Sequence, residues 1–337
     1  MRYLVTGITG FAGPHLARLL VENGHDVSGL TRATNGREND IRDIIPDNIY
    51  NKICFIHSDI TDERGIERVF KEHRFDGVFH LAAQSHPPTS FSDHEGTYRT
   101  NVEGTKNIIE AIKNYQRDCA LMFCSTSEVY GNVPKEKSPI TEDFPLKGQV
   151  NPYALSKAIS DIEVLGHSSI KVEPFNLPFF VTRAFSHTGP RRGKNFSISS
   201  DAYQIARIKK GFQEPVILVG NLTPSRVVID VRDCVQAYAM LMEHAVQRDE
   251  RVIGEAFNVS GTDLHQIGYF LDEMLKISGL EDKVKKQVHE PYYRKIDIGV
   301  QMPDVTKIRK TIGWEPKIPL NQTLSSLLDY WDRKITI

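Results

Sequence analysis

Two short segments of this sequence carry side chains suited to moving protons. In "CSTSEVYG" (124–131), three hydroxyls, Ser125, Thr126 and Ser127, precede a carboxylate, Glu128, directly after the apolar run "ALMF". In "NPYALSK" (151–157), Tyr153 and Lys157 stand four residues apart, so on a helix they share one face. An ammonium beside a phenol favours the phenolate, which predicts a tyrosine usable as a base near neutral pH. Neither segment is specific alone, because apolar strands commonly end in polar turns and Y-x-x-x-K arises often by chance.

What lies upstream changes their weight. The strand "YLVTG" (3–7) runs into "TGITGFAGPHL", with Gly7, Gly10 and Gly13 spaced by three. Glycines there permit a tight strand-to-helix turn, a close approach of backbone to pyrophosphate, and close seating of the helix on the sheet. Thr9, Phe11 and Ala12 complete the turn, and Pro14 falls in the first helical turn, where its missing N–H costs nothing. This predicts a dinucleotide site. The second strand, "VSGL" (27–30), ends in Thr31 and Arg32, where a site for NAD would place an acid on the ribose. A guanidinium suits a 2′-phosphate, so NADP is expected, with NAD as the alternative. Asp59 and Ile60, at the tip of the third strand, are placed to meet the adenine. Leu81, Ala82 and Ala83 of "HLAAQS" (80–85) let the fourth strand pass close to the cofactor.

These groups need a frame. Strands at 52–59, 77–83, 120–125 and 179–185 alternate with helices at 14–24, 62–72, 94–116 and 151–167. Near-continuous apolar strands in such an alternation predict an α/β fold, a Rossmann-type doubly wound parallel sheet covered on both faces. After about residue 190 short strands such as "PVILVG" (215–220) and "AFNVS" (256–260) alternate with helices, and Pro and charge become frequent. We read residues 1–175, with contributions from about 179–190 and 221–255, as the cofactor domain. The remainder of 190–337 reads as a smaller C-terminal α/β substrate-binding lobe roofing the strand ends.

Bulk properties exclude other classes. A chain of 337 residues with a net charge of -1 offers no general attraction to nucleic acid or an anionic membrane. No apolar run is long enough to span a bilayer, and "MRYLVTG" enters a strand at once, leaving no room for a signal peptide. The four cysteines form no CxxC pair, so reduced thiols in a cytoplasmic protein are expected, and no metal-ligand spacing appears.

Taken together, the glycine turn, "LAAQS", "STSEVYG", "YALSK", "HTGPRRG" and the closing "IGWEPKIPL" resemble the extended short-chain dehydrogenase/reductases that modify nucleotide-linked sugars. The resemblance is nearest to GDP-mannose 4,6-dehydratases. It implies Tyr153 and Lys157 as the catalytic pair, Thr126 as the third, hydroxyl-bearing member, and Glu128 as the carboxylate that such dehydratases add. It also implies Tyr98 and Asn101 near the cofactor pocket, Ser85 beside both ligands, and His187 and Arg192 at the NADP end. Gln84, Asn176, Lys194, Asn221, Arg226 and Arg294 are implied as contacts to a nucleotide-diphosphate sugar, GDP-linked in the nearest relatives. The implied reaction oxidises C4, eliminates water across C5 and C6, and returns hydride to C6. Epimerase, 4-keto reductase, C4 dehydrogenase and UDP-glucuronate decarboxylase reactions share the fold, and a catalytically silent nucleotide-binding scaffold is the rival from another class. Ser186 stands where relatives often carry Asn, Val227 where an acid is common, and Pro87-Pro88 in a loop lining the sugar site. These departures bear on sugar identity more than on reaction type. The resemblance further implies a homodimer or homotetramer joined through the helices at 94–116 and 151–167.

Overall fold

The computed structural model describes residues 1–32, 37–169, 176–293 and 298–335. Its centre is a seven-stranded sheet in which every pairing is parallel. The strands lie in the order Ala256–Val259, Phe179–Ala184, Ala120–Thr126, Gly77–His80, Arg2–Thr6, Asp26–Thr31, Ile53–His57. Side chains alternate between faces because successive residues of a strand point opposite ways. Leu121 and Phe123 pack with helices Glu63–Glu72, Gly104–Tyr115 and Pro152–Ser169, while Ala120 and Met122 pack with helices Ala12–Glu22 and Val231–Val246. The expected doubly wound sheet is therefore present, with an apolar layer on each side.

Two expectations about its membership are corrected. The strand near 256–260, read as part of the smaller lobe, is the sheet's edge strand beside Phe179–Ala184. Conversely, Ser225–Asp230, read as part of the cofactor domain, pairs with Ser186–Thr188, Leu264–Gln266 and Val300–Gln301 in a separate sheet. The helix after it, Val231–Val246, returns to the main sheet and packs against Ala12–Glu22. Local alternation does not distinguish these cases, since short buried strands look alike wherever they pair.

A third core joins helices Ser197–Lys209, Ile267–Ile277 and Leu320–Lys334 to the strand Val216–Val219. Among the described residues no helix is long and apolar enough to cross a membrane.

Candidate active site

One continuous cleft of about 1510 Å³ runs past the carboxyl ends of the main strands and along the third core. Single-ligand pockets typically hold about 300–1,000 Å³, so it has room for two ligands end to end.

The glycine turn forms its first wall. Gly7 has φ +70°, and a Cβ there would lie 2.8 Å from Ala82 N; a Cβ on Gly13 would lie 2.4 Å from Gly7 O. Only glycine fits either position, and the approachable backbone suits a dinucleotide pyrophosphate. The strand ends beneath are fixed by a hydrogen-bond chain. Ala82 N–H donates to Thr6 Oγ1 at 3.1 Å, and Thr6 Oγ1 and His80 Nδ1 are 2.8 Å apart. His80 Nε2 lies 3.0 Å from Thr105 Oγ1, which donates to Asn101 O. Burial lowers the His80 pKa to about 3, so the ring is neutral and can bridge the two hydroxyls. Asn101, expected near the cofactor pocket, grips the fourth strand's extension at Gln84, a residue of the cleft wall. Its Oδ1 accepts from Gln84 N at 2.8 Å and its Nδ2 donates to Gln84 O at 3.0 Å.

The proton-handling groups meet at the middle of the cleft. Asn151 precedes Pro152, the first residue of the helix, and its Oδ1 accepts from Ala154 N at 2.7 Å, a side-chain cap. Its Nδ2 donates to Glu128 Oε2 at 2.7 Å. One side chain therefore joins Glu128 to the head of the helix carrying Tyr153 and Lys157. Deeper along that helix, the buried Asp161 carboxylate takes both a 3.0 Å and a 2.9 Å bond from the Arg183 guanidinium, tying the helix to strand Phe179–Ala184. Thr126 Oγ1 accepts from Glu128 N at 3.3 Å, and the Thr126 hydroxyl is near enough to the Tyr153 phenol to favour its ionised form. Lys157 Nζ sits 3.9 Å above the Phe123 ring.

The charge balance differs from the expected one. Burial pushes the Tyr153 phenol well above its ordinary range, and the Glu128 carboxylate pushes it further; the Thr126 hydroxyl and Arg192 act in the opposite direction. Lys157 is itself fully buried, which lowers its pKa to about 8. The protein alone therefore holds Tyr153 as a neutral phenol, and the anticipated ammonium-stabilised phenolate is not its resting state. Desolvation outweighs a cation that is itself desolvated.

The segment after Thr188 crosses back over the glycine turn. Arg191, at φ +75°, donates from Nε to Gly10 O at 3.0 Å and from Nη2 to Thr9 O at 3.1 Å, and pairs with Asp43 at 2.7 Å. Sequence reading singled out Arg192 and missed this latch, which rests on contacts between residues about 180 positions apart. Arg192 is held between the rings of Phe11 at 4.7 Å and Phe196 at 3.5 Å, and His187 stacks on Phe11.

Of the residues expected to bind ligand, Gly7, Thr9, Gly10, Phe11, Ala12, Gly13, Arg32, Asp59, Ile60, Leu81, Ala82, Ala83, Gln84, Ser85, Thr126, Glu128, Tyr153, Lys157, His187, Arg192, Lys194, Asn221 and Arg226 all line this cleft. Asn176 does not. It is exposed and precedes strand Phe179–Ala184, so it lies at the amino end of the sheet, away from a cleft at the carboxyl ends. Tyr98 is also absent from the lining; its helix, His94–Tyr98, packs against Pro152–Ser169. Arg294 lies outside the described residues. Pro87 and Pro88 open a short helix, Pro87–Ser92, on the cleft rim. Asp201, Tyr292 and Tyr293 line the cleft without having been anticipated.

Comparison with known proteins agrees with this geometry. The chain is 28% identical over 335 residues to GDP-mannose 4,6 dehydratase 1 of Arabidopsis thaliana, covering 97% of this chain and 88% of that protein. It is also 28% identical to the GDP-6-deoxy-D-mannose reductase of Pseudomonas aeruginosa, covering 99% and 98%. The structure of RMD from Pseudomonas aeruginosa complexed with NADPH superposes with a TM-score of 0.82 at 26% identity, covering 99% of each chain. A family model described as GDP-mannose 4,6 dehydratase matches residues 4–327, so the chain belongs to that family of nucleotide-sugar enzymes.

Proposed function

We propose that this enzyme is an NADP-dependent nucleotide-sugar 4,6-dehydratase acting on GDP-mannose or a related GDP-sugar. The observation that carries the reading is the placement of Glu128. A carboxylate next to Thr126, joined through Asn151 to the helix of Tyr153 and Lys157, gives the cleft a second proton-transfer group that oxidation and reduction alone do not need. Arg32 at the tip of the second strand, with Arg37 further along the same cleft wall, supplies positive charge suited to a 2′-phosphate, and the Pseudomonas structure with NADPH belongs to a similar chain.

When bound, the cofactor supplies a hydride acceptor and later donor, and in its oxidised form a positive charge. The chain's own groups handle the protons. Tyr153, ionised once the cofactor's positive charge stands beside Lys157, takes the proton of the C4 hydroxyl, with Thr126 holding the C4 oxygen. A ketone at C4 acidifies C5; Glu128 removes the C5 proton and, now protonated, gives it to the C6 hydroxyl, which leaves as water. Arg226 and Lys194 are the cleft's candidates for holding the sugar diphosphate, and Arg192 stays at the NADP end. Leu155 and Ile162, 42% and 60% exposed and seven residues apart on helix Pro152–Ser169, supply an apolar stripe for a homodimer.

A panel of GDP-, dTDP-, CDP- and UDP-sugars with catalytic NADP, followed by mass spectrometry, tests the reading. Loss of water from GDP-mannose without net cofactor consumption is expected. Unchanged mass with inverted stereochemistry would make the protein an epimerase, carbon dioxide release a decarboxylase, and stoichiometric NADPH use a reductase.

Three variants probe the scaffold of the site. Asn151→Ser keeps a helix cap but withdraws the contact to Glu128. Its melting temperature should stay near that of the parent while turnover falls ~10-fold or more. Asn151→Asp keeps the cap and sets a second carboxylate against Glu128, so the acidic limb of the rate–pH profile should move to higher pH. Arg191→Ala removes the latch on the glycine turn and should weaken NADP(H) binding ~10-fold by fluorescence titration, with little change in substrate affinity.

A further inference from the structure

Asp201 is a buried acid that the proposed reaction does not use. It lies on helix Ser197–Lys209, is 4% exposed, and lines the cleft. Among the described residues nothing hydrogen-bonds its carboxyl group. Buried carboxyl groups in folded proteins are normally paired, because desolvating one without a partner is costly. The neighbouring side chain Gln204, three residues on, is fully engaged. It donates to Leu218 O at 3.0 Å and accepts from Leu218 N at 2.8 Å, keying the helix onto strand Val216–Val219. Asp201 therefore lies toward the carboxyl end of that strand, where the chain continues through Gly220 and Asn221 along the same cleft.

The turn Glu290–Tyr292 closes over this point. His289 N donates to Val219 O at 2.8 Å, and a Cβ on Gly220 would lie 2.7 Å from Tyr292 O. Tyr292 and Tyr293, about half exposed, stand on the rim. A buried carboxyl and two half-exposed aromatic side chains lining the cleft where strand Val216–Val219 runs out make a setting for a flat heterocycle with hydrogen-bond donors.

We propose that Asp201 reads the nucleobase, its two carboxylate oxygens accepting the N1–H and N2–H of guanine. This rests on the reading of the cleft as a nucleotide-sugar site. Guanine is singled out by chemistry. It presents two adjacent donors on one edge, whereas adenine and cytosine pair one donor with an acceptor and uracil sets one donor between two acceptors. Burial raises the Asp201 pKa to about 8, with Lys286 on strand Lys285–Val288 acting the other way. Lys286 is engaged with Asp272, and among the described residues Lys194 and Arg226 are further charged groups lining the cleft on this side. Asp201 is thus mostly protonated at pH 7 without ligand, and pairing with two N–H donors requires it to ionise.

Isothermal titration of GDP and UDP at pH 7, in buffers of different ionisation enthalpy, reads this directly. GDP should bind with release of close to one proton, and UDP should bind more weakly without it. Asp201→Asn, which removes a buried acid and so should not lower the melting temperature, should lose GDP affinity ~10- to 100-fold together with the proton release. It should instead gain affinity for xanthosine diphosphate, whose C2 oxygen accepts from the new amide. Buffer-independent GDP heats, tighter binding of UDP, or an Asp201→Asn variant that keeps wild-type GDP affinity and rejects xanthosine diphosphate would each overturn the assignment. None of these arms needs turnover. GDP binding with proton release by a protein that never dehydrates a sugar would sink the reaction and leave this assignment standing.

Discussion

Glu128→Gln is expected to bind NADP(H) and nucleotide sugar as the parent does and to slow water loss ~10³-fold. The substitution is nearly isosteric, and the Gln oxygen can still accept from Asn151 Nδ2, which reaches Glu128 Oε2 at 2.7 Å. Folding and the helix cap should therefore survive. What disappears is the group that removes the C5 proton. Oxidation at C4 does not need that group, so reduced nicotinamide should accumulate to about one equivalent per site instead of being consumed again. A second effect has the opposite sign. The Glu128 charge is the second-largest influence raising the Tyr153 pKa, after burial. Removing it lets the phenol ionise more easily, so the pH profile of the initial oxidation should shift to lower pH. Stopped-flow absorbance separates the two phases. Water loss at the parental rate in Glu128→Gln would show that the carboxylate only shapes the loop.

Lys157→Met should abolish turnover and yet stabilise the fold at neutral pH. Lys157 is 2% exposed, and burial lowers its pKa from 10.5 to about 8. The unfolded chain thus binds that proton more tightly than the folded one. At pH 7 the lysine is protonated in both states and the cost of burying its charge is fully present. Wild-type stability should rise as pH climbs from about 8 toward 10.5, where the unfolded lysine also loses its proton. A methionine keeps the apolar stem against Phe123 and removes the charge, for a gain of about 1–3 kcal/mol at pH 7. The difference between the proteins should shrink as pH approaches 10.5. Chemical denaturation at pH 7 and pH 10 measures this, and a Met variant less stable at pH 7 would contradict the account. The trade is typical of sites where a buried charge serves chemistry at the expense of stability.

The parts of the site legible in the sequence are those written locally. The glycine spacing, the Tyr153–Lys157 interval and the hydroxyl-rich end of Ala120–Thr126 each sit within a few residues, and strand-end position follows from the α/β alternation. The parts that were not legible depend on which distant segments meet. Arg191 reaches Gly10 across 181 positions, and nothing near it in sequence announces that contact. Asn151 looked like an ordinary residue before a helix because its bond to Glu128 exists only once the strand and helix dock. Asp201 lies in a polar run, "SISSD", that reads as a surface helix start until the third core buries it. Asn176 was misplaced for the converse reason, since a motif match says little about which end of a strand a residue occupies. The raised Tyr153 pKa of the protein alone was not legible because four-residue spacing establishes proximity but not the desolvation that both groups undergo.

The fate of a single hydrogen tests the central claim most directly. GDP-mannose labelled with deuterium at C4, incubated with the enzyme and NADP, should give a 4-keto-6-deoxy product carrying that deuterium at C6. Product from unlabelled sugar in deuterated water should carry solvent deuterium at C5. Deuterium retained at C4, or lost to a stoichiometric pool of NADPH with no water eliminated, would contradict the dehydratase account.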